Sequence, residues 1–219
     1  MKRLLLFAAL LARLVGGLSA QNPNHQYSLD AMTRSLFERL DKSSLHSGIL
    51  LQQSAIFINP FRFDGTALND SNQMDAGRFG KLFGQLRAAS VGQPVLPDPG
   101  VYLDELRRRQ EGADTVLLAL LAMQFDYIKA DAFDTGLLQW GADNKVSAVP
   151  GQSTSPYQVD TTFAFAALTE QVAGAQVVFR LPSQFIFNNL GWSLGNVQID
   201  FGDGQGWREV RPDECITAK

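Results

Sequence analysis

Apolar residues recur at helical spacing in the first half of the chain and at strand spacing in the second. In DAMTRSLFERLD, Met32, Leu36 and Leu40, with Phe37, form an i, i+4 stripe, and Ser28 or Asp30 stands where a helix cap is expected. In MDAGRFGKLFGQLRAAS, Phe79, Leu82, Phe83 and Leu86 fall on one face. Gly77, Gly80 and Gly84 each cost that helix about 1 kcal/mol relative to alanine, so it depends on tertiary packing. Between these two segments, SGILLQQSAIFINPFRFDGTALNDSN turns from apolar to aromatic to turn-rich, which predicts extended or loop structure. VGQPVLPDPG, with Pro94, Pro97 and Pro99, is a connector that leads into a short helix over VYLDELRRRQ.

The next segment, DTVLLALLAMQFDYIKADAF, is harder to assign. Its Ala/Leu-rich first half suits a helix, whereas Phe125, Asp126, Tyr127 and their neighbours alternate with period two, and the reading adopted is a buried strand. Its apolar part, from Val116 to Met123, is too short to cross a membrane. From about Val146 the chain turns to β-branched, aromatic and turn residues. TTFAFAAL, AQVVFRL, SQFIFNN, NVQIDF and WREVRP are short, evenly spaced strand candidates separated by Gly, Pro and Asn, which predicts an antiparallel sandwich rather than a βαβ sheet. The expected fold class is therefore α+β, with a mainly helical region over residues 21–110 and a β-rich region over 111–219.

The first 20 residues belong to neither region. Lys2 and Arg3 precede an apolar stretch from Leu4 to Ala12, and Ser19 and Ala20 form a small-residue site before Gln21, the order of a cleaved secretory signal. Arg13, Gly16 and Gly17 break the run before it could anchor in a bilayer, so no membrane span is expected after cleavage. Composition, with 45% hydrophobic and 19% charged residues, is that of an ordinary globular chain. Cleavage removes three basic residues and no acids, leaving 16 basic against 22 acidic residues, a net charge of −6. An acidic chain with a patternless charge distribution is a poor partner for nucleic acid or anionic lipid. The one basic run, ELRRRQE, is flanked by Glu105 and Glu111 and reads as a solvated helix face with i, i+4 pairs. Cys215 is the only cysteine, so no intrachain disulfide can form, and stability must come from burial.

Candidate chemistry is sparse. His25 and His46 have no ligands at metal spacing, and no cofactor site is indicated. GWSLG, Gly191 to Gly195, matches the nucleophile-elbow pattern with Ser193 in the centre. That device needs a helix directly after the serine and a histidine later in the chain, and here a strand candidate follows and no histidine does. In DFGDGQG, Asp200 and Asp203 could offer oxygens to calcium, but Gly202 and Gly204 occupy the positions where an EF-type loop needs ligands. A turn needs only aspartates that accept from backbone N–H groups and glycines that supply positive φ, so Asp200, Gly202, Asp203 and Gly204 are assigned to a structural turn. NDS at Asn69 is a formal glycosylation sequon that places Asn69 in a surface loop.

VQIDFGDGQGW resembles the DFGDG turn of the polycystic-kidney-disease (PKD) type sandwich, an immunoglobulin-like module of extracellular proteins. The resemblance covers the last third of the chain and departs from the family at Ile199, where an aromatic is usual. It implies a structural role for Asp200, Phe201, Gly202, Asp203 and Gly204. More loosely, SGILL, the helical middle, SPYQVDTTFAFAAL, VVFRL and IDFGDGQGW resemble long secreted proteins of Bacteroidota, some labelled hydrolases, although no residue here carries that activity. An immunoglobulin-like sandwich takes about seven strands and about 100 residues. Only fifteen residues follow Gly204, and DECITAK shows no strand pattern. The expectation is thus an incomplete sandwich that leaves Ile199 and Phe201 poorly covered. The expected function is that of a secreted or cell-surface structural and binding module for an extracellular ligand or surface component, the alternative being the N-terminal part of a secreted hydrolase.

Overall fold

A fourteen-residue strand, β1 (Thr115–Ile128), organises the molecule. The computed structural model describes residues 23–56, 58–60, 74–109, 114–169, 172, 175–191, 193 and 195–218. The predicted signal segment and Asn69 lie outside them. Helices α1 (Pro23–Leu36), α2 (Ala76–Ala88) and α3 (Pro99–Arg109) precede β1. Strands β2 (Leu138–Trp140), β3 (Val146–Ala148), β4 (Tyr157–Ala167), β5 (Val177–Arg180), β6 (Ile186–Asn188), β7 (Val197–Asp200), β8 (Trp207–Val210) and β9 (Cys215–Ala218) follow it. The fold is α+β, with its strands in the C-terminal part.

β1 is apolar at nearly every position because both its faces are covered. Leu117, Ala119, Leu121, Met123 and Phe125 pack against Phe79, Leu82, Phe83 and Leu86 of α2. Val116, Leu118 and Leu120 face the other way, into a cluster with Ile199, Phe201, Val210 and Ala218. Burial of each large α2 side chain is worth about 1.5–3 kcal/mol, more than enough to offset the three glycines of that helix. Asp75 caps α2 by accepting from Arg78 N–H at 2.6 Å. Phe83 stacks on Tyr102 of α3 with centroids 4.7 Å apart and meets Phe187 edge-on at 5.0 Å.

The main sheet runs β4–β1–β5–β9, with β6 also beside β1. It is mixed, which corrects the wholly antiparallel expectation. β4 pairs antiparallel to β1, with Leu118 opposite Ala167 and Ile128 opposite Tyr157, but β5 and β6 run parallel to β1 along its other edge. A strand buried on both faces takes the centre of the sheet, and later segments then fill the edge that β4 leaves open. Where β6 stops, side chains and a loop continue the ladder. Asn189 accepts from Gln124 N–H at 2.6 Å and donates to Gln124 C=O at 2.9 Å. Asp126 N–H donates to Ile49 C=O at 2.8 Å, and Ile128 N–H to Gln52 Oε1 at 3.1 Å.

Four further expectations change. α1 begins at Pro23, a residue suited to the first helical position, and Asp30 is not its cap: its carboxylate accepts from Ala55 N–H at 3.0 Å. Within the predicted stripe Phe37 and Leu40, just after the end of α1, are buried, but Met32 is 66% exposed. Residues 215–218, read as patternless, form β9 against β5, with Phe179 opposite Ile216. Ile199 and Phe201, expected to be poorly covered, are both buried. The hairpin β2–β3 was not foreseen. It covers a third cluster, in which Leu138 and Val146 meet Phe37, Leu40 and Tyr157.

Candidate functional site

Two places on the sheet gather polar groups around buried positions. The first is centred on Asp126. Its position on β1 turns its carboxylate to the face away from α2, where it is wholly buried. Ser47 N–H donates to its Oδ2 at 2.8 Å and Ser47 Oγ donates to the same oxygen at 2.6 Å. His46 Nδ1 lies 3.3 Å from Oδ1, with most of the imidazole in solvent. Ser47 Oγ in turn accepts from Ile49 N–H at 3.1 Å. A seryl nucleophile needs the imidazole between hydroxyl and carboxylate, so that the imidazole can take the hydroxyl proton. Here the carboxylate lies between the other two, and the arrangement holds the 46–50 loop on β1. Nearby, the Tyr157 hydroxyl donates to Asp41 C=O. Burial, and then the negative charges of Asp41 and Asp126, push its ionisation above the usual phenol range.

The second place is a cleft of about 380 Å³ between the sheet and the β7–β8 hairpin. Leu120, Ile186, Val197 and Val210 supply apolar walls, and Asn188, Asn196, Glu209 and Arg211 the polar ones. The volume falls within the range of small-ligand pockets, about 300–1,000 Å³. Pairing explains the composition: Leu120 opposite Ile186 and Ala122 opposite Asn188 put Ile186 and Asn188 on the same face of the sheet. Asn188 Oδ1 accepts from Leu190 N–H at 2.8 Å, fixing the turn that leaves β6.

The DFGDG segment forms the hairpin tip between β7 and β8. Gly202 N–H donates to Asp200 Oδ1 at 2.9 Å and Gln205 N–H to Asp203 Oδ1 at 3.1 Å. Gly202 and Gly204 have φ of 73° and 76°, a region glycine enters without steric cost. One partner was not visible in the sequence: Arg208 Nη2 donates to Asp203 Oδ2 at 2.7 Å, and its guanidinium lies 4.6 Å from the Phe201 ring centre. Asp203 is nearly buried beneath this contact.

Ser193 is exposed, and the element after it is β7, not a helix. Among the described residues no hydrogen bond joins Ser193 to Asp126, whose partners are His46 and Ser47. The basic run lies on α3, with Arg107 paired to Asp104 at 2.9 Å and both Arg108 and Arg109 to Glu105. No helix among the described residues is long and apolar enough to cross a membrane. No protein-family model, curated protein or solved structure matches the chain, so the chemistry of both places is read from their own residues. The sequence reading missed Asp126. The available signal was a lone acid inside the long apolar run of β1.

Proposed function

We propose that the protein is an exported structural and binding module, secreted or held at the cell surface, and that the cleft beside the β7–β8 hairpin contacts an extracellular ligand or surface component. One observation carries the reading: the cleft has apolar walls, with amides and charges at its margin. The basic, apolar and small-residue order of the first 20 residues supports export, and the DFGDG turn resembles that of extracellular PKD-type modules.

The test has two arms. N-terminal sequencing of secreted material should return a chain beginning at or near Gln21, and Met1 would overturn export. For binding, Gly195 lines the cleft and has open space where a Cβ would stand, so Gly195→Trp should fill the cleft without backbone strain. Retention on cell-envelope fractions should fall about tenfold, equivalent to about 1.4 kcal/mol, with the melting temperature unchanged. Turnover of ester, peptide or glycoside substrates that disappears in Ser193→Ala would replace this reading with the hydrolase.

A further inference from the structure

Phe133 and Trp140 stack in the open, with ring centroids 5.5 Å apart and planes within 14°. Phe133 is 38% exposed and Trp140 59% exposed. The cluster beneath them is closed by Ala132, Leu137, Leu138, Val146 and Tyr157, all buried, without either ring. Phe133 stacks on the indole of Trp140, of which 59% stays exposed to solvent.

The frame that presents the rings is held at several points. Phe133 rides on a helical turn in which Thr135 N–H and Oγ1 donate to Asp131 C=O at 2.9 and 2.8 Å, and Leu137 N–H closes onto Ala132 C=O at 2.8 Å. Trp140 ends β2 opposite Val146. The turn after it is fixed by Gly141 N–H to Lys145 C=O at 2.8 Å and Asn144 N–H to Gly141 C=O at 3.0 Å. Two ion pairs, Arg39 with Asp143 at 2.9 Å and Lys145 with Glu38, tie this turn to the segment after α1. An aromatic ring on such a frame loses little conformational freedom when it binds.

The chemistry of the platform selects its ligand class. Two rings are too small for a stable protein interface, which needs about 800 Å² per partner. A π face is electron-rich and attracts a flat array of polarised C–H bonds. A pyranose with equatorial substituents offers that array on each face and directs its hydroxyls outward in the ring plane. Asp134, exposed and adjacent in sequence to Phe133, offers a polar group for those hydroxyls. The acidic chain disfavours anionic polymers, which need Lys/Arg clusters. We propose that Phe133 and Trp140 form a glycan-binding platform for uncharged, β-linked pyranose chains. The platform shares no residue with the cleft beside the β7–β8 hairpin, so the proposal goes beyond the binding-module reading.

The experiment titrates the mature chain with neutral β-1,4-linked glucose and N-acetylglucosamine hexasaccharides, followed by calorimetry and tryptophan fluorescence, alongside envelope retention. Binding to one of them should weaken at least about tenfold in Trp140→Ala and in Phe133→Ala. Trp140→Phe should retain part of the affinity, and Gly195→Trp should leave glycan affinity unchanged. Glycan binding that survives Trp140→Ala, or no binding of either hexasaccharide by the parent, overturns the platform while leaving the module to stand on its envelope arm. A change in melting temperature alone would make the stack a structural feature and also overturn the proposal. Binding only to anionic glycans, abolished by salt, would do the same.

Discussion

Asp126→Ala tests whether the buried carboxylate holds the 46–50 loop on the sheet. The substitution removes the acceptor of Ser47 N–H at 2.8 Å and of Ser47 Oγ at 2.6 Å. The hydroxyl has a second acceptor within reach, Ile49 C=O at 3.2 Å, so the amide is the donor left without a partner. An orphaned donor costs about 1–3 kcal/mol when buried and less at half-buried Ser47, and a lost bond to a charged group costs about 1.5–3 kcal/mol. Relief of the carboxylate's own burial offsets part of this. The net expectation is a loss of about 2–4 kcal/mol, or roughly 5–15 °C in Tm for a chain of this length. Asp126→Asn keeps an oxygen for Ser47 and turns an NH₂ towards His46 Nδ1, so it should recover most of the loss. The assay is urea unfolding of the parent, Asp126→Ala, Asp126→Asn, Ser47→Ala and the Ser47→Ala/Asp126→Ala double variant. A coupling of about 1 kcal/mol or more is expected for residues in direct contact. The reasoning fails if Asp126→Ala costs less than about 0.5 kcal/mol, if Asn is as harmful as Ala, or if the two sites are additive.

Asp203→Ala should cost about 2–3 kcal/mol in urea unfolding, above the roughly 0.5–2 kcal/mol of a lost turn bond alone, because it also removes the Arg208 ion pair and leaves Arg208 only its bond to Thr217 C=O; calcium should leave the parent's Tm unmoved, and a calcium-dependent shift abolished by Asp203→Ala would show a metal site instead. Phe83→Ala, which removes a fully buried ring between Tyr102 and Phe187, should cost about 3–5 kcal/mol by the same assay. Burial raises the Tyr102 phenol to about 12, so its contribution is complete below the unfolded value of about 10 and is lost as pH rises from there to 12. Stability should therefore fall across that window, and Tyr102→Phe should flatten the decline, as followed by tyrosinate absorbance and melting temperature. Gly204→Ala, at φ of 76° with open space around it, should cost about 1–2 kcal/mol from the backbone alone.

The sequence by itself determined the elements whose signal is local. The stripe Phe79, Leu82, Phe83, Leu86 specifies a helix face whatever it packs on, and all four are buried. The alternation in TTFAFAAL and NVQIDF, with the glycines of DFGDG between NVQIDF and WREVRP, specifies strands and a turn in the same way. The lone acid in the β1 run was legible too, although its role was not. Tertiary structure decided what depends on residues far apart in the chain. β1 reads as helix or strand until α2 covers one face and the β7–β8 hairpin the other, since burial on both faces erases alternation. β9 has little pattern of its own and becomes a strand because β5 offers an unpaired edge. The parallel pairing of β5 and β6 with β1, the loop held by Asp126, the Arg208–Asp203 pair and the stack of Phe133 on Trp140 all join segments that no local period connects. Spacing along a chain encodes which face a side chain takes, while its partner is fixed only when the chain folds back on itself.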